Sequence, residues 1–132
     1  MAKKTVLIVD DSPVMRAALR GLFKPLAELE VSGEAENGQE AIDKAERLRP
    51  DLIILDLSMP VMNGLEAAPR LRKMLPNVRL MLFTVHDGPE VERLAQTSGI
   101  HAVVSKSRAA ATLIAQAQAL MAAPSSQESR SA

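Results

Sequence analysis

One feature of this chain limits its fold more than any other: short unbroken apolar runs alternate with longer segments of helical spacing. The runs occupy residues 6–9, 52–55, 80–83 and 102–104. Runs without a polar interruption suit strands buried on both faces, as in a parallel sheet. A more polar run, Leu29–Ala35, suits an edge strand.

Five helices are predicted between and after these runs. The first has Ser12 as N-cap and Pro13 at the first helical position, with Met15, Leu19, Leu22 and Phe23 on one face. The second starts at Asn37, with Glu40 placed as a capping-box partner and Ala41, Ile42 and Ala45 facing inward. The third follows Asn63-Gly64 through Leu65, Leu71 and Met74, with Pro69 near the end of its first turn. The fourth starts at Asp87, with Glu90 in the capping-box place and Val91, Leu94 and Ala95 inward. The fifth is the alanine-rich stretch 107–122. The βαβαβαβαβα order predicts an α/β fold, a doubly wound five-stranded parallel sheet with right-handed crossovers. Residues 1–122 then form one domain, and the polar residues 123–132 read as a disordered tail or a linker stump.

Composition removes several function classes. The 132 residues carry 16 Lys and Arg against 16 Asp and Glu, so bulk charge favours neither nucleic acid nor a membrane surface. With no Cys, there is no disulfide, thiolate metal site or thiol nucleophile. Two Phe, with no Tyr or Trp, disfavour a stacking platform for single strands. No apolar run is long enough to span a membrane, and the N-terminus has too short an apolar stretch for a signal peptide. The cytoplasm is the expected location.

In open α/β sheets, function gathers at the carboxyl ends of the strands. Here the first apolar run ends in Asp10-Asp11, the third predicted strand in Asp56 and the fourth in Thr84, while Lys106 closely follows the fifth. Each residue alone has an ordinary reading: a turn residue or cap for an Asp, strand chemistry for the Thr, a solvated Lys. Together they put three carboxylates, a hydroxyl and an ammonium on one edge. Crowded carboxylates repel one another unless a cation joins them, and a site of two or three Asp suits Mg²⁺. One Asp can then act as a nucleophile towards phosphorus, giving an aspartyl phosphate.

These residues carry a resemblance. The blocks Val9-Asp10-Asp11-Ser12 and Asp56-Leu57-Ser58-Met59-Pro60-Val61-Met62-Asn63-Gly64, followed by Thr84 and Lys106, are similar to the receiver domains of bacterial two-component response regulators. The likeness covers about residues 3–122. It implies the flavodoxin-like, chemotaxis-regulator-like fold with strand order 2-1-3-4-5. It implies that Asp56 accepts a phosphoryl group from a sensor histidine kinase. It implies Mg²⁺ held by Asp11 and Asp56, with Asp10 on a metal-bound water and Ser58 giving its backbone carbonyl. Thr84 and Lys106 are then the phosphoryl-binding switch residues. Catalysis in this reading is limited to self-phosphorylation from small donors and autodephosphorylation.

Four departures from the family pattern stand out, the last of them at two positions. Val103 stands where an aromatic ring is usual, so the coupled swing of Thr and ring has no counterpart. Ser107 replaces a common Pro after Lys106, which implies an all-trans loop and fits the subgroup joined to LuxR-type helix-turn-helix output domains. Val85 follows Thr84 and is expected to narrow access to Asp56. Ser58 and His86 flank the site and are expected to influence autodephosphorylation. His86 also has a plain reading as a loop residue, and His101 has no assigned role.

The expected partners are the kinase and either a downstream protein or an output domain beyond this chain, with no direct nucleic-acid contact by this domain. A phosphorylation-dependent homodimer is a further expectation. Among competing functions, an Asp-nucleophile phosphatase of the haloacid-dehalogenase type needs a second Asp where Ser58 stands. A flavin or nucleotide binder needs a phosphate loop where the acidic 10–13 segment stands. A receiver that signals without phosphorylation is the remaining alternative.

Overall fold

The computed structural model describes residues 3–86 and 88–122. Strands β1 (Lys4–Val9), β2 (Leu29–Ala35), β3 (Leu52–Leu55), β4 (Arg79–Thr84) and β5 (Ala102–Ser105) alternate with helices α1 (Pro13–Phe23), α2 (Gly38–Leu48), α3 (Gly64–Met74), α4 (Pro89–Thr97) and α5 (Ala110–Ala122). The strands form one parallel sheet in the order β2-β1-β3-β4-β5. The strand order expected from the resemblance is therefore present, and the polar second run lies on an edge.

Side chains alternate between the faces of a strand, so the sheet splits its apolar residues into two cores. Leu7, Val9, Ile53, Leu55, Leu80 and Leu82 pack with buried residues of α2, α3 and α4. Val6, Ile8, Leu52, Ile54, Met81 and Phe83 pack with Leu19 and Phe23 of α1 and Leu113 and Ala117 of α5. The central runs are apolar at every position because both faces are covered. Fully burying each large side chain contributes on the order of 1.5–3 kcal/mol.

Local chemistry starts the helices much as the sequence implies. Ser12 Oγ accepts from the Met15 amide at 3.2 Å, with Pro13 at N1. Asn37 Oδ1 accepts from the Glu40 amide at 2.8 Å, but the Glu40 carboxylate reaches back to the Glu36 amide rather than to Asn37. The full reciprocal box occurs at α3 instead, between Asn63 and Glu66.

Several expectations need correction. Pro69 is the sixth residue of α3, so the intrahelical bond it cannot donate, to the Leu65 carbonyl, is lost from the second turn. Helix α4 is capped by Gly88 at φ 126°, without a side-chain cap bond, and Pro89 opens it; the expected start, Asp87, lies outside the described residues. Leu94, expected inward, is 37% exposed, whereas Val91 and Ala95, expected inward with it, pack into the core. Helix α5 starts at Ala110, since residues 106–108 form a turn before it. The expected tail, 123–132, lies outside the described residues.

Candidate functional site

Register, rather than sequence proximity, assembles the acidic site. Val9 pairs with Leu55 across β1 and β3, so the next residues, Asp10 and Asp56, emerge side by side. The Asp56 amide donates to the Val9 carbonyl at 3.0 Å. At the other side of β4, Thr84 pairs with Ser105, and the Lys106 amide donates to the Thr84 carbonyl at 2.8 Å. The β1–β3 junction is where the winding of the sheet reverses, which opens a crevice at the strand ends.

Asp10 and Asp56 are buried, whereas Asp11 is exposed. One carboxylate oxygen from each of the three lies within 4.8 Å of the others. Lys106 Nζ lies 2.8 Å from Asp10 Oδ2 and 3.4 Å from Asp56 Oδ2, so it bridges both and sits closer to Asp10. The same ammonium is 5.8 Å from the centroid of the Phe83 ring. Burial pushes the Asp56 carboxyl above its usual range, the Asp10 and Asp11 charges push the same way, and Lys106 opposes them. For Lys106, burial works against the charge, but the Asp10 and Asp56 carboxylates outweigh it and hold the pKa above the usual lysine value. Three crowded, hard anionic oxygens with only one ammonium among them form a donor set that fits a small divalent cation.

Backbone contacts hold these side chains in place. Asp10 Oδ1 accepts from the Ser12 amide at 2.9 Å, and the Asp10 carbonyl accepts from Arg16 Nη1 at 2.7 Å. The Gly64 amide donates to the Leu57 carbonyl at 3.1 Å, and a Cβ at Gly64 would collide with the Asp56 carbonyl oxygen. Only glycine lets α3 begin so close to the acid-bearing strand. Between them, the Met62 amide donates to the Pro60 carbonyl at 2.7 Å around Val61, whose φ is 69°; this is a γ-turn through a β-branched residue.

The other predicted residues take varied places. Thr84 is fully buried, and its Oγ1 accepts from the His86 amide at 3.1 Å. Asp11, Leu57, Ser58, Met59, Asn63 and His86 line an open hollow of about 740 Å³ beside the carboxylates. Val85 is 66% exposed. Val103 does not join the acids; it is half-buried against the α2–α3–α4 core and lines a separate hollow of about 260 Å³ between α4, β5 and α5. The turn after Lys106 shows what replaces the common Pro. The Ser107 amide donates to Ser105 Oγ at 3.2 Å, and the two hydroxyls share a 2.8 Å bond. No cis peptide bond occurs among the described residues.

Sequence reasoning missed Arg16, Phe83 and Ser105. Arg16 and Phe83 fall on expected core or helix positions; Phe83 gains a site role through its tertiary contact with Lys106, and Arg16 by reaching back to the Asp10 carbonyl. The Ser105-x-Ser107 spacing was visible, but hydroxyls two apart are common in turns.

The model of the response regulator receiver domain family matches residues 6–118. The nitrate/nitrite response regulator protein NarL of Escherichia coli (strain K12) is 43% identical over 86 residues, covering 65% of this chain and 40% of that protein. The response regulator protein VraR of Staphylococcus saprophyticus is 36% identical over 109 residues, covering 82% of this chain and 52% of that protein. The chain thus matches about half or less of the length of these relatives. A crystal structure of a two-component response regulator of the LuxR family from Aurantimonas sp. SI85-9A1 superposes with a TM-score of 0.87 at 29% identity, covering 96% of this chain and 92% of that one.

Proposed function

This chain belongs to the response regulator receiver domain family of two-component signalling, and from that premise we propose that it is switched by phosphorylation of Asp56. Members of this family are phosphoacceptors rather than enzymes in the ordinary sense. The observation that carries the proposal is the meeting of Asp10, Asp11 and Asp56 within 4.8 Å at a strand-end crevice, with Lys106 bridging two of them.

The residues suit the transfer. An Asp56 carboxylate oxygen attacks phosphorus and forms the new O–P bond. The P–N bond to the donor imidazole of a sensor histidine kinase breaks, and its electron pair leaves with the ring nitrogen. Lys106 then releases a carboxylate partner to meet a phosphoryl oxygen, which offsets charge on the transferring group. Thr84 Oγ1 accepts from the His86 amide, which leaves its own O–H to donate to a phosphoryl oxygen. Asp10, Asp11, Asp56 and the Ser58 carbonyl would hold Mg²⁺. That ion supplies neutralisation of the phosphoryl charge and of the acid cluster.

The partners in this proposal are the kinase and an output element, a downstream protein or a LuxR-type helix-turn-helix domain beyond this chain. The kinship to NarL and VraR and to a LuxR-family structure supports that choice. Phosphorylation-dependent homodimerisation belongs to the same proposal and is read from molecular mass in solution with and without the phosphoryl group. Among the described residues, no helix is long and apolar enough to cross a membrane, and the proposed location is the cytoplasm.

The test is intact mass after incubation with acetyl phosphate and Mg²⁺. One added phosphoryl group is expected, absent in Asp56→Asn and absent without Mg²⁺. A folded protein that gains nothing from acetyl phosphate or from a kinase overturns the proposal in favour of a phosphorylation-independent interaction module.

A further inference from the structure

At the opposite ends of the strands, where β4 and β5 begin, a second polar cluster has no part in the acid site. Its centre is His101. The Leu80 peptide holds this residue from both sides: the His101 amide donates to the Leu80 carbonyl at 2.8 Å, and the Leu80 amide donates to ring Nδ1 at 3.0 Å. A backbone N–H can only donate, so the Nδ1 lone pair is committed and the proton of the neutral imidazole sits on Nε2.

Arg72 of α3 places Nη1 2.9 Å from that same Nε2. A guanidinium has donors and no acceptor. Two N–H groups therefore converge on one exposed place. Protonating the ring does not change this, because Nε2 stays a donor and Nδ1 loses its lone pair.

The arginine is steered to this place. Its Nη1 also reaches the Val78 carbonyl at 3.5 Å, and its stem lies across Gly99, where a Cβ would come within 3.1 Å of Arg72 Cγ. Gly99 has φ 85°, a conformation that favours glycine. Among the described residues, no carboxylate forms an ion pair with Arg72. Burial first, and then the positive charges of Arg72 and Arg79, lower the His101 pKa below its ordinary value. His101 is exposed, so a solute can reach it.

We propose that Arg72 and His101 form an oxyanion-binding site, in which a phosphate or carboxylate group accepts from the guanidinium and from the Nε2–H. An anion there accepts from both groups and ties α3 to the turn between α4 and β5. The site stands about 13 Å along β4 from the acid cluster, by strand rise, and does not depend on Asp56 being phosphorylated.

The test uses ¹⁵N-labelled protein in EDTA at pH 7.5 and constant ionic strength with chloride. Ring nitrogen shifts are expected to report Nε2–H before any addition. Inorganic phosphate and, separately, acetate are then titrated while the His101 ring and the Leu80 amide are followed. A saturable shift is expected with at least one of them, weakened roughly tenfold or more in Arg72→Gln, since a charge-assisted hydrogen bond is lost. Tighter binding of phosphate assigns a phosphoryl ligand; equal or tighter binding of acetate assigns a carboxylate. A proton on Nδ1, shifts no larger than in chloride alone, or unchanged binding in a folded Arg72→Gln would each overturn the site.

Discussion

At the scale of single residues, the acid site trades stability for chemistry. Asp56 is buried beside another carboxylate, so its folded pKa stands above the ordinary value near 3.8. A raised carboxyl pKa contributes stability that is present below the unfolded pKa and lost as pH rises through the folded value. In EDTA at pH 7, Asp56→Asn is therefore expected to be more stable than the parent chain. The gap should close as pH falls towards 4, and urea melts at a series of pH values would check it; a gap that widens at low pH contradicts the reading. Lys106→Met should act the other way. It leaves two buried carboxylates without their ammonium, a loss of about 3 kcal/mol or more for a broken buried pair, discounted by the partial exposure of the site. Gly64 is the least replaceable residue here, since a methyl group meets the Asp56 carbonyl. Gly64→Ala is expected to destabilise by about 1–3 kcal/mol, read in chemical melts, and to slow phosphoryl uptake by displacing Asp56.

The elements show why some of this was legible. Ser12, Asn37 and Asn63 cap helices from their own sequence neighbourhood, so their side-chain chemistry alone announces them. Asn63→Ala should cost about 1 kcal/mol through the loss of the cap, with the same melts as readout. Glu66, the partner that completes this box, stood at the right spacing in the sequence and was not singled out. The start of α5 was misjudged because Ser105 and Ser107 form their own hydroxyl-closed turn, which competes with helix. Leu94 was misplaced because four-residue spacing fixes a face but not its exact rotation against a sheet. The γ-turn at Val61 was invisible, since a β-branched residue at positive φ runs against local preference. Val61→Gly relieves that strain and is expected to leave stability equal or up to about 1 kcal/mol higher despite the more flexible unfolded chain, measured as a shift in melting midpoint.

At the scale of the whole molecule, the unbroken apolar runs fixed a sheet covered on both faces, and the polar run at Leu29–Ala35 fixed an edge. Strand ends could be read for their acids because a parallel sheet sends every carboxyl end to the same side. Added Mg²⁺ should raise the melting temperature if it binds the folded acid cluster, by an amount that grows with the logarithm of its concentration, and Asp11→Ala should weaken that dependence. The sequence by itself thus determined the element order, the class of fold and the residues that meet at one edge. Only the tertiary structure decided how closely they meet. The level register of Val9 with Leu55 and the preference of Lys106 for Asp10 depend on residues far apart in the chain. The same is true of Val85 turning to solvent and of Arg72 meeting His101. Periodicity and capping are local and act within a few residues, whereas distances and tautomers are set by packing between elements that have no neighbourhood in sequence.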